Sequence, residues 1–409
     1  MINLKNLYLC AILNFLILFN YYLFFLNIDI LKITFILFIF IIIIFYIFSS
    51  KEDFISKIFI LIIFFICIGS PLNDWDGKYI WIFHAKRIFY NNNLYIQLDN
   101  FMPWTHNDYP VLIPSLSASF ANFFHIWNDN IPKISSAVMI SIPIIFINSF
   151  IKNKLKKIVL FCFFLWVTEK TFLSASVDDI LSFYTLCSFL VIYILFFKEE
   201  YFKKNKKLFF CLSYTFITLT TLIKNEGLVI IAILMLSASI IKRFILNQKI
   251  NSSIYLVFFL SLFPILIWKF ICYNAGIYND IISADNLKNI THRFLDLRNH
   301  WNIFNYMTLN KSLLLPILLF VAINFNKLRI TSSKELFLIN KKKLKESICL
   351  LYIIFSSFLY YLIIYFIYLL TPNDLIWHLS TSAYRVVMPI GIILIFYTII
   401  NMGKNKLLR

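Results

Sequence analysis

Charged residues and glycines are scarce in this chain. Only 14% of its 409 residues are charged and six are glycine, whereas soluble globular proteins carry about 25% charged residues. So few polar side chains cannot coat a water-soluble globule. Six glycines also leave little room for the glycine-rich loops of P-loop or dinucleotide-binding enzymes. The two scarcities exclude soluble enzyme classes, collagen and disordered chains.

Cysteine is present, but in no pattern that indicates chemistry. All seven cysteines lie inside apolar runs, so neither a disulfide framework nor the spacing of zinc ligands is present. We expect the cysteines to be small buried hydrophobic residues.

Long apolar runs are what the sequence does have. Hydrophobic residues make up 61% of the chain, and about 20 apolar residues are enough for a helix to cross a bilayer. The runs predict an all-α, polytopic membrane protein with a single integral-membrane domain over residues 1–409. The twelve predicted spans are 7–26, 30–48, 56–70, 132–150, 157–173, 179–197, 208–223, 227–241, 254–272, 312–325, 347–370 and 384–401. A shorter apolar piece at 111–126 predicts a half-inserted or re-entrant helix.

Lysine and arginine are distributed unevenly between the loops. One set of loops, together with Lys5, holds 25 of the 38 basic residues but only 6 of the 20 acidic ones. Because cytoplasmic loops of membrane proteins collect basic residues, both termini and these loops are predicted to be cytoplasmic, and the protein to lie in the cytoplasmic (inner) membrane. Topology thus explains the net charge of +18 without a nucleic-acid partner. The basic loops are 51–57, 152–157, 198–207, 242–249, 327–345 and 404–409.

The other set of loops is predicted to be extracytoplasmic and to carry the chemistry. It contains all six histidines and six of the eight tryptophans, which membrane-interface belts explain only in part. Its first long stretch, 71–131, carries candidate catalytic acids. Its second, 273–311, includes Asp280 and Asp285 and is predicted to form a cap over the cavity. Its short turns are 174–178, 224–226 and 371–383.

The first outer loop opens with Asp74 and Asp76, directly before a stretch in which Tyr79/Ile80, Phe83 and Arg87/Ile88 recur at helical spacing. This pattern predicts an amphipathic helix lying on the membrane surface. The two carboxylates are either a helix cap and a solvated acid or a general base toward an acceptor hydroxyl or amine. Placing charged groups at the edge of the bilayer costs free energy, so such groups tend to have a functional role.

The end of the same loop, Trp104–Pro110, predicts an extended entry into the next helix, because proline disfavours a helical conformation in the residue before it. We expect His106, Asp108 and Tyr109 to face the same cavity as Asp76 and to bind the acceptor or the sugar. The alternative is an interfacial turn with a capping aspartate.

The acidic opening, the juxtamembrane helix and the His-x-Asp-Tyr-Pro ending of this loop resemble the GT-C superfamily of membrane glycosyltransferases. The resemblance is strongest to the bacterial branch related to the protein-mannosyltransferase and aminoarabinose-transferase folds. It implies that an acidic residue of the loop is the catalytic base and that the donor sugar is carried on a polyprenyl phosphate or pyrophosphate. Trp75-Asp76 with Trp81 and Lys86 matches the family pattern. Asp76 is therefore the favoured base, Asp74 is the alternative, and Lys86 is a candidate contact of the donor phosphate.

Three shorter motifs extend the resemblance along the chain. They are Ser174-Ala175-Ser176-Val177-Asp178-Asp179, Lys224-Asn225-Glu226-Gly227, and the stretch from Trp377 to Arg385. The first implies that Asp178 and Asp179 orient the acceptor or sugar, whereas the bland alternative is a helix cap. Hard divalent cations prefer carboxylate oxygens. Metal dependence varies within the superfamily, so the resemblance leaves open whether Asp76 and Asp178 hold such a cation.

The other two motifs are candidate phosphate and sugar contacts. Lys224 is expected to contact the donor phosphate and Glu226 to contact sugar hydroxyls, unless the two simply pair with each other at the membrane edge. Arg385 lies on the outer side against the positive-inside trend. The resemblance implies that it meets a lipid phosphate, with help from His378; the alternative is an interfacial anchor.

The sequence therefore predicts a glycosyltransferase that moves a sugar from a polyprenyl-phosphate-linked donor to a lipid, glycan or protein acceptor at the outer face of the bilayer. A transporter or flippase of lipid-linked sugars is the first alternative. Transporters place their sites near the membrane midplane, where this chain has almost no ionisable residue apart from Lys269. An O-antigen-type polymerase or ligase is the second alternative, although such enzymes rely on arginine-rich outer loops and this outer face is led by acids.

Overall fold

The computed structural model describes residues 3–26, 29–49, 54–94, 101–168, 175–279, 286–332 and 341–402, and every regular element within these ranges is helical. The α-helices are α1 (Leu4–Leu26), α2 (Asp29–Ser49), α3 (Phe54–Gly69), α4 (Ile82–Asn91), α5 (Leu112–Phe124), α6 (Ile134–Asn148), α7 (Lys154–Thr168), α8 (Asp178–Phe197), α9 (Glu199–Lys204), α10 (Lys206–Ile223), α11 (Asn225–Ile240), α12 (Ser252–Asn274), α13 (Leu287–Phe294), α14 (Leu297–Thr308), α15 (Leu314–Ser332), α16 (Lys341–Leu370), α17 (Leu375–Val386) and α18 (Met388–Asn401). Four positions discussed above lie outside the described residues, namely Ser174, Asp280, Asp285 and the segment 404–409.

By length and composition, eight helical segments of the described chain can cross a membrane. They are Leu4–Phe24, Ile131–Asn148, Asp178–Phe197, Lys206–Ile223, Asn225–Ile245, Ser252–Asn274, Ser347–Leu370 and Leu375–Asn401. Shorter apolar helices cover Ile36–Phe48, Phe54–Gly69, Leu112–Phe124 and Leu314–Asn324. The prediction of a multi-pass helical membrane protein is confirmed in this coarser form, while the count of twelve spans and the GT-C fold stay predictions.

Helix α8 lies at the centre of the bundle. Its residues from Asp178 to Phe196 are all buried, because α6, α10, α11 and α18 pack around it. A helix that is apolar on every face can lie in a protein core or in a bilayer, and here the packing helices place α8 in the core. Its first turn therefore carries two aspartates, Asp178 and Asp179, into the protein interior.

The basic loops and the acidic loops meet at different ends of the bundle. At the basic end, Lys242 donates to the carbonyl of Phe196 at 2.6 Å and pairs with Glu199 at 2.8 Å. Lys156 donates to the carbonyl of Ile400 at 2.9 Å. We call the opposite end, where the loops that carry Asp76, Asp178, Lys224 and Asp108 meet, the polar end. Which compartment each end faces stays a prediction.

The segment 286–311 packs beside the helix that carries Arg385. Helices α13 and α14 contact α16 and α17, and Arg293 donates to backbone carbonyls at the carboxyl end of α16, among them Tyr368 at 3.4 Å, and to that of Asn373 at 2.9 Å. Asp374 caps α17 by accepting the Trp377 N–H at 2.8 Å. Cations and capping acids of this kind satisfy backbone groups that helix ends leave unpaired. The role of this segment as a cap over a cavity stays a prediction.

The amphipathic helix of the first loop buries most of its predicted face. Ile80, Arg87 and Ile88 are buried and Phe83 is partly buried, because α5 packs against α4. The prediction is wrong for Tyr79, which is 43% exposed. Helix α5 is itself buried from Leu112 to Ala121, and its depth in a bilayer stays a prediction.

The cysteines are all free, as their spacing predicts. Five of them are buried, but Cys162 and Cys211 are exposed on the surfaces of α7 and α10. The prediction that every cysteine is buried is therefore wrong for these two. An apolar run alone does not say which face of a helix turns toward other helices.

Candidate functional site

Five charged side chains from four separate parts of the sequence meet at the polar end. Arg385 pairs with Asp76 and lies 3.4 Å from Asp178 Oδ2. Lys224 Nζ is 2.9 Å from Asp178 Oδ1 and 3.1 Å from Glu226 Oε1. We call Asp76, Asp178, Lys224, Glu226 and Arg385 the charge cluster. Three carboxylates thus contact two cations where little water reaches them.

Asp178 is the centre of the charge cluster. One of its carboxylate oxygens faces Lys224 and the other faces Arg385, and Ser176 Oγ donates to the latter oxygen at 2.9 Å. Its side chain is only 4% exposed. Because it binds both cations at once, Asp178 fixes the distance between them. The alternative that Asp178 is a helix cap is not what the structure shows, since Val177 is the capping position and has no side-chain cap.

The turn that carries Lys224 depends on a close approach between α10 and α11. Lys224 has an extended backbone between these two helices. A Cβ atom on Gly227 would lie 2.0 Å from the carbonyl oxygen of Thr220, so only glycine lets the first turn of α11 lie against the end of α10. The Lys-Asn-Glu-Gly motif is therefore also a packing motif that aims Lys224 at Asp178.

Asp74 has surroundings unlike those of Asp76. Burial and the negative charge of Asp76 raise the pKa of Asp74 above its usual range, and the charge of Arg385 and the Gly77 N–H offset this only in part. Its Oδ2 accepts that N–H at 3.4 Å, whereas Asp76 is held by Arg385. Two neighbouring acids in unequal environments are the usual arrangement for acid–base chemistry.

Two polar atoms of the charge cluster are buried without a hydrogen-bond partner among the described residues. They are Nε of Arg385 and Oε2 of Glu226. Buried polar atoms are nearly always hydrogen-bonded, and each exception needs an explanation. A bound ligand could satisfy both atoms, since a phosphate oxygen can accept the Nε–H of Arg385 and a hydroxyl group can donate to Oε2 of Glu226.

Asp108 belongs to a second polar group, of which Lys269 and Asn279 were missed by sequence reasoning. Its Oδ2 accepts from Asn225 at 2.7 Å and from Asn279 at 2.9 Å, and lies 3.4 Å from Lys269 Nζ. Its backbone carbonyl also accepts from Trp268 at 3.1 Å. This carboxylate is buried and fully engaged, so it holds the first loop to the turn at Asn225. The only signal in the sequence is a lysine, Lys269, inside an otherwise apolar run.

Aromatic rings connect the two polar groups. The Tyr109 ring stacks on Trp81 at 5.6 Å and on His106 at 4.6 Å. Lys224 Nζ lies 5.7 Å from the centre of the Tyr109 ring, within the range of a cation–π contact. Tyr109 therefore contacts Lys224 of the charge cluster, and His106 contacts Tyr109. That they share a cavity with Asp76 stays a prediction.

Two predicted site residues, Asp179 and His378, have hydrogen bonds outside the charge cluster, and a third, Lys86, is exposed. Asp179 is 1% exposed, and its Oδ1 accepts the N–H of Ile180 at 2.8 Å. Lys86 is exposed on α4, ten residues from Asp76. His378 faces back along α17, where its Nδ1 is 2.8 Å from Thr371 Oγ1. Because successive residues of a helix point in different directions, only Asp178 of this pair lies in the charge cluster.

The carboxylates do not fit a divalent cation as they stand. Lys224 and Arg385 occupy the oxygens of Asp178, and Arg385 also holds Asp76, so a metal ion there would be repelled by two positive charges. Among the described residues, no group of three or more histidine, cysteine or acidic side chains is arranged to hold a metal.

His84 is buried on α4 next to the first loop. Its Nε2 donates to the carbonyl of Thr105 at 2.9 Å, because a carbonyl can only accept. Burial, followed by the positive charge of Arg87, lowers the pKa of His84 to about 3. The neutral imidazole thus holds the end of the first loop onto α4.

Acidification is expected to destabilise the protein through His84. An unfolded histidine has a pKa of about 6.5, so between pH 6.5 and about 3 the unfolded chain binds a proton that the folded chain rejects. The free energy of unfolding then falls as the pH falls, by about 2 kcal/mol between pH 7 and pH 5. His84→Gln keeps a donor for Thr105 but cannot titrate, so unfolding midpoints in detergent should lose this part of their pH dependence. An unchanged pH dependence in the variant would contradict the assignment.

Comparison of the chain with protein-family models, with curated proteins and with solved structures finds no match.

Proposed function

We propose that the protein is a membrane glycosyltransferase of the GT-C type. It would transfer a sugar from a polyprenyl-phosphate-linked donor to a lipid, glycan or protein acceptor at the extracytoplasmic face of the cytoplasmic membrane. The observation that supports this most is the meeting of Arg385 and Lys224 on the two oxygens of Asp178, with Asp76 beside them. Two cations at fixed spacing suit a phosphate, and a neighbouring carboxylate suits a base.

The proposed reaction assigns one task to each part of the charge cluster. Asp76 takes the proton of the acceptor hydroxyl while the acceptor oxygen forms a bond to the anomeric carbon of the sugar. The bond from that carbon to the phosphate oxygen breaks, and its electron pair stays with the leaving polyprenyl phosphate. Arg385 and Lys224 stabilise the charge that develops there. Glu226, with one oxygen free of hydrogen bonds among the described residues, accepts from a sugar hydroxyl.

The alternatives use the same charges differently. A transporter or flippase would move a lipid-linked sugar without breaking its bond to phosphate. An O-antigen-type polymerase or ligase would rely on several outer arginines, whereas the charge cluster contains one, Arg385, together with three acids.

Transfer of a labelled sugar from a polyprenyl-phosphate donor by the purified protein in detergent tests the proposal. Lys224→Ala and Arg385→Ala should each weaken use of the donor about tenfold to hundredfold, since a charge-assisted contact to phosphate is worth about 1.5–3 kcal/mol. Arg385→Lys should restore only part of this, because an ammonium cannot copy a bidentate guanidinium.

Lys288→Ala is the matched control for these variants, because Lys288 is an exposed lysine on α13 and its loss should leave donor use unchanged. The test also separates the enzyme from a flippase. A flippase would transfer no sugar in detergent but would move labelled lipid across sealed vesicles, and that result would end the proposal.

A further inference from the structure

The two cations of the charge cluster are already neutralised in this structure. Asp76, Asp178 and Glu226 all lie within ion-pair distance of Lys224 or Arg385, so the five groups carry a net negative charge when all are ionised. A phosphate that entered beside them would meet this excess negative charge at low dielectric. One carboxylate must therefore leave the cations before an anionic ligand binds well.

Asp76 is the carboxylate that can leave. Asp178 is 4% exposed and is held by both cations and by Ser176. Asp76 is 22% exposed, and its contact with Arg385 is the one ion pair that it makes among the described residues. It also precedes a π-helical turn, Gly77–Trp81, and has no side-chain capping bond to that turn. In the part of the chain that the structure describes, no other ion pair of this carboxylate opposes its release.

Arg385 has a donor ready for a different acceptor. Its Nε–H is buried without an acceptor among the described residues, while its Nη1 contacts both Asp76 and Asp178. A phosphate offers several oxygens and can take the Nε–H together with the bond that Asp76 now holds, in the bidentate manner that guanidinium favours. A carboxylate held at Nη1 alone uses less of the guanidinium.

We propose that Asp76 and the donor phosphate compete for Arg385, so that donor binding releases the Asp76 carboxylate to act as base. This inference rests on the proposed function and adds an order to it. Without donor, the Asp76 carboxylate is held in an ion pair with Arg385. With donor bound, the phosphate takes Arg385, and Asp76 is free beside the sugar. Asp76 can then deprotonate the acceptor only when a donor sugar is bound beside it.

Competition predicts that Asp76→Asn binds donor more tightly although it transfers less. An apparent dissociation constant is the intrinsic one divided by the fraction of molecules that can bind. If Asp76 holds Arg385 in about nine of ten molecules, its removal tightens binding about tenfold. The measurement is calorimetric titration of farnesyl phosphate into the full-length protein in nanodiscs, for the wild type and for Asp76→Asn. A simple anchoring role of Asp76 would instead make the variant bind more weakly.

Controls separate the contact with Arg385 from general electrostatics. Asp74→Asn removes a neighbouring negative charge, but among the described residues Asp74 forms no ion pair with Arg385. This variant should therefore tighten binding of farnesyl phosphate much less than Asp76→Asn does. Asp76→Asn combined with Arg385→Gln should lose the gain. Farnesol and inorganic phosphate, titrated in parallel, show whether binding needs both the phosphate and the lipid. Asp76→Ala is the second variant, in case Asp76→Asn has a lowered thermal unfolding midpoint.

The outcomes for this inference and for the proposed function are distinct. Tighter binding of farnesyl phosphate by both Asp76 variants supports the competition. Equal or weaker binding by these variants, with a wild type that binds, overturns the competition and leaves the glycosyltransferase proposal standing. If neither the wild type nor the variants bind farnesyl phosphate, the proposed function itself fails.

Discussion

Replacing Asp178 with asparagine is expected to lower the free energy of unfolding by about 3–5 kcal/mol, the usual cost of leaving a buried ion pair with one partner missing. The amide keeps the size of the side chain but removes the charge that binds Lys224 at 2.9 Å and Arg385 at 3.4 Å. Both cations are buried at the polar end, so neither can recover hydration cheaply. Loss of helical circular dichroism during denaturation in mixed micelles measures the change.

Two further variants show whether the loss comes from unpaired charge. Asp178→Asn combined with Lys224→Met removes one carboxylate and one cation, and should recover part of the stability that the single variant loses. Asp129→Asn is the matched control, because Asp129 is exposed and surface substitutions usually change stability by less than about 0.5 kcal/mol. A loss below about 1 kcal/mol for Asp178→Asn would mean that the two cations do not depend on this carboxylate.

The second large effect concerns turnover. Asp76→Asn is expected to reduce sugar transfer by about 10²–10⁴, since the amide has nearly the same shape but cannot accept the proton of the acceptor. The thermal unfolding midpoint should change little, because Asp76 is partly exposed and belongs to a loop. Single-turnover transfer at saturating donor isolates the chemical step from the tighter donor binding that the same variant should show.

Asp74→Asn identifies which acid of the pair is the base. Asp74 has the raised pKa, but Asp76 lies against Arg385 and hence beside the proposed phosphate site. We therefore expect a smaller loss of turnover for Asp74→Asn than for Asp76→Asn. The reverse order would assign the base to Asp74, and full activity in both variants would exclude the proposed mechanism.

Much of the architecture is readable from hydrophobic patterning, because the bilayer imposes one rule on every span. Backbone groups in hydrocarbon must be paired internally, so an apolar run of sufficient length predicts a helix wherever it occurs. The runs at 179–197 and 347–370 are thus found as helices α8 and α16. The same patterning does not say which faces pack, and the exposed Cys162 and the exposed Tyr79 are errors of that kind.

In the site, too, the sequence shows which side chains are charged but not which of them face one another. Asp76, Asp178, Lys224 and Arg385 are each visible in the sequence as charges at the edges of apolar runs, and the structure brings them together. Nothing in the sequence distinguishes Asp178 from Asp179, its neighbour. The helical rotation of about 100° per residue sends one toward the cations and the other into the core.

Hydrophobic patterning and the placement of charges were enough to predict a helical, multi-pass membrane protein whose polar loops carry mainly acidic candidate residues. How those residues pair became visible only once the helices were packed together. Asp108 is held by Lys269 and Asn225, Asp178 binds both cations, and Arg385 is divided between Asp76 and Asp178. The reason is physical. Periodicity follows from short-range geometry along one helix, whereas the pairing of buried charges depends on the packing of helices that lie far apart in the chain.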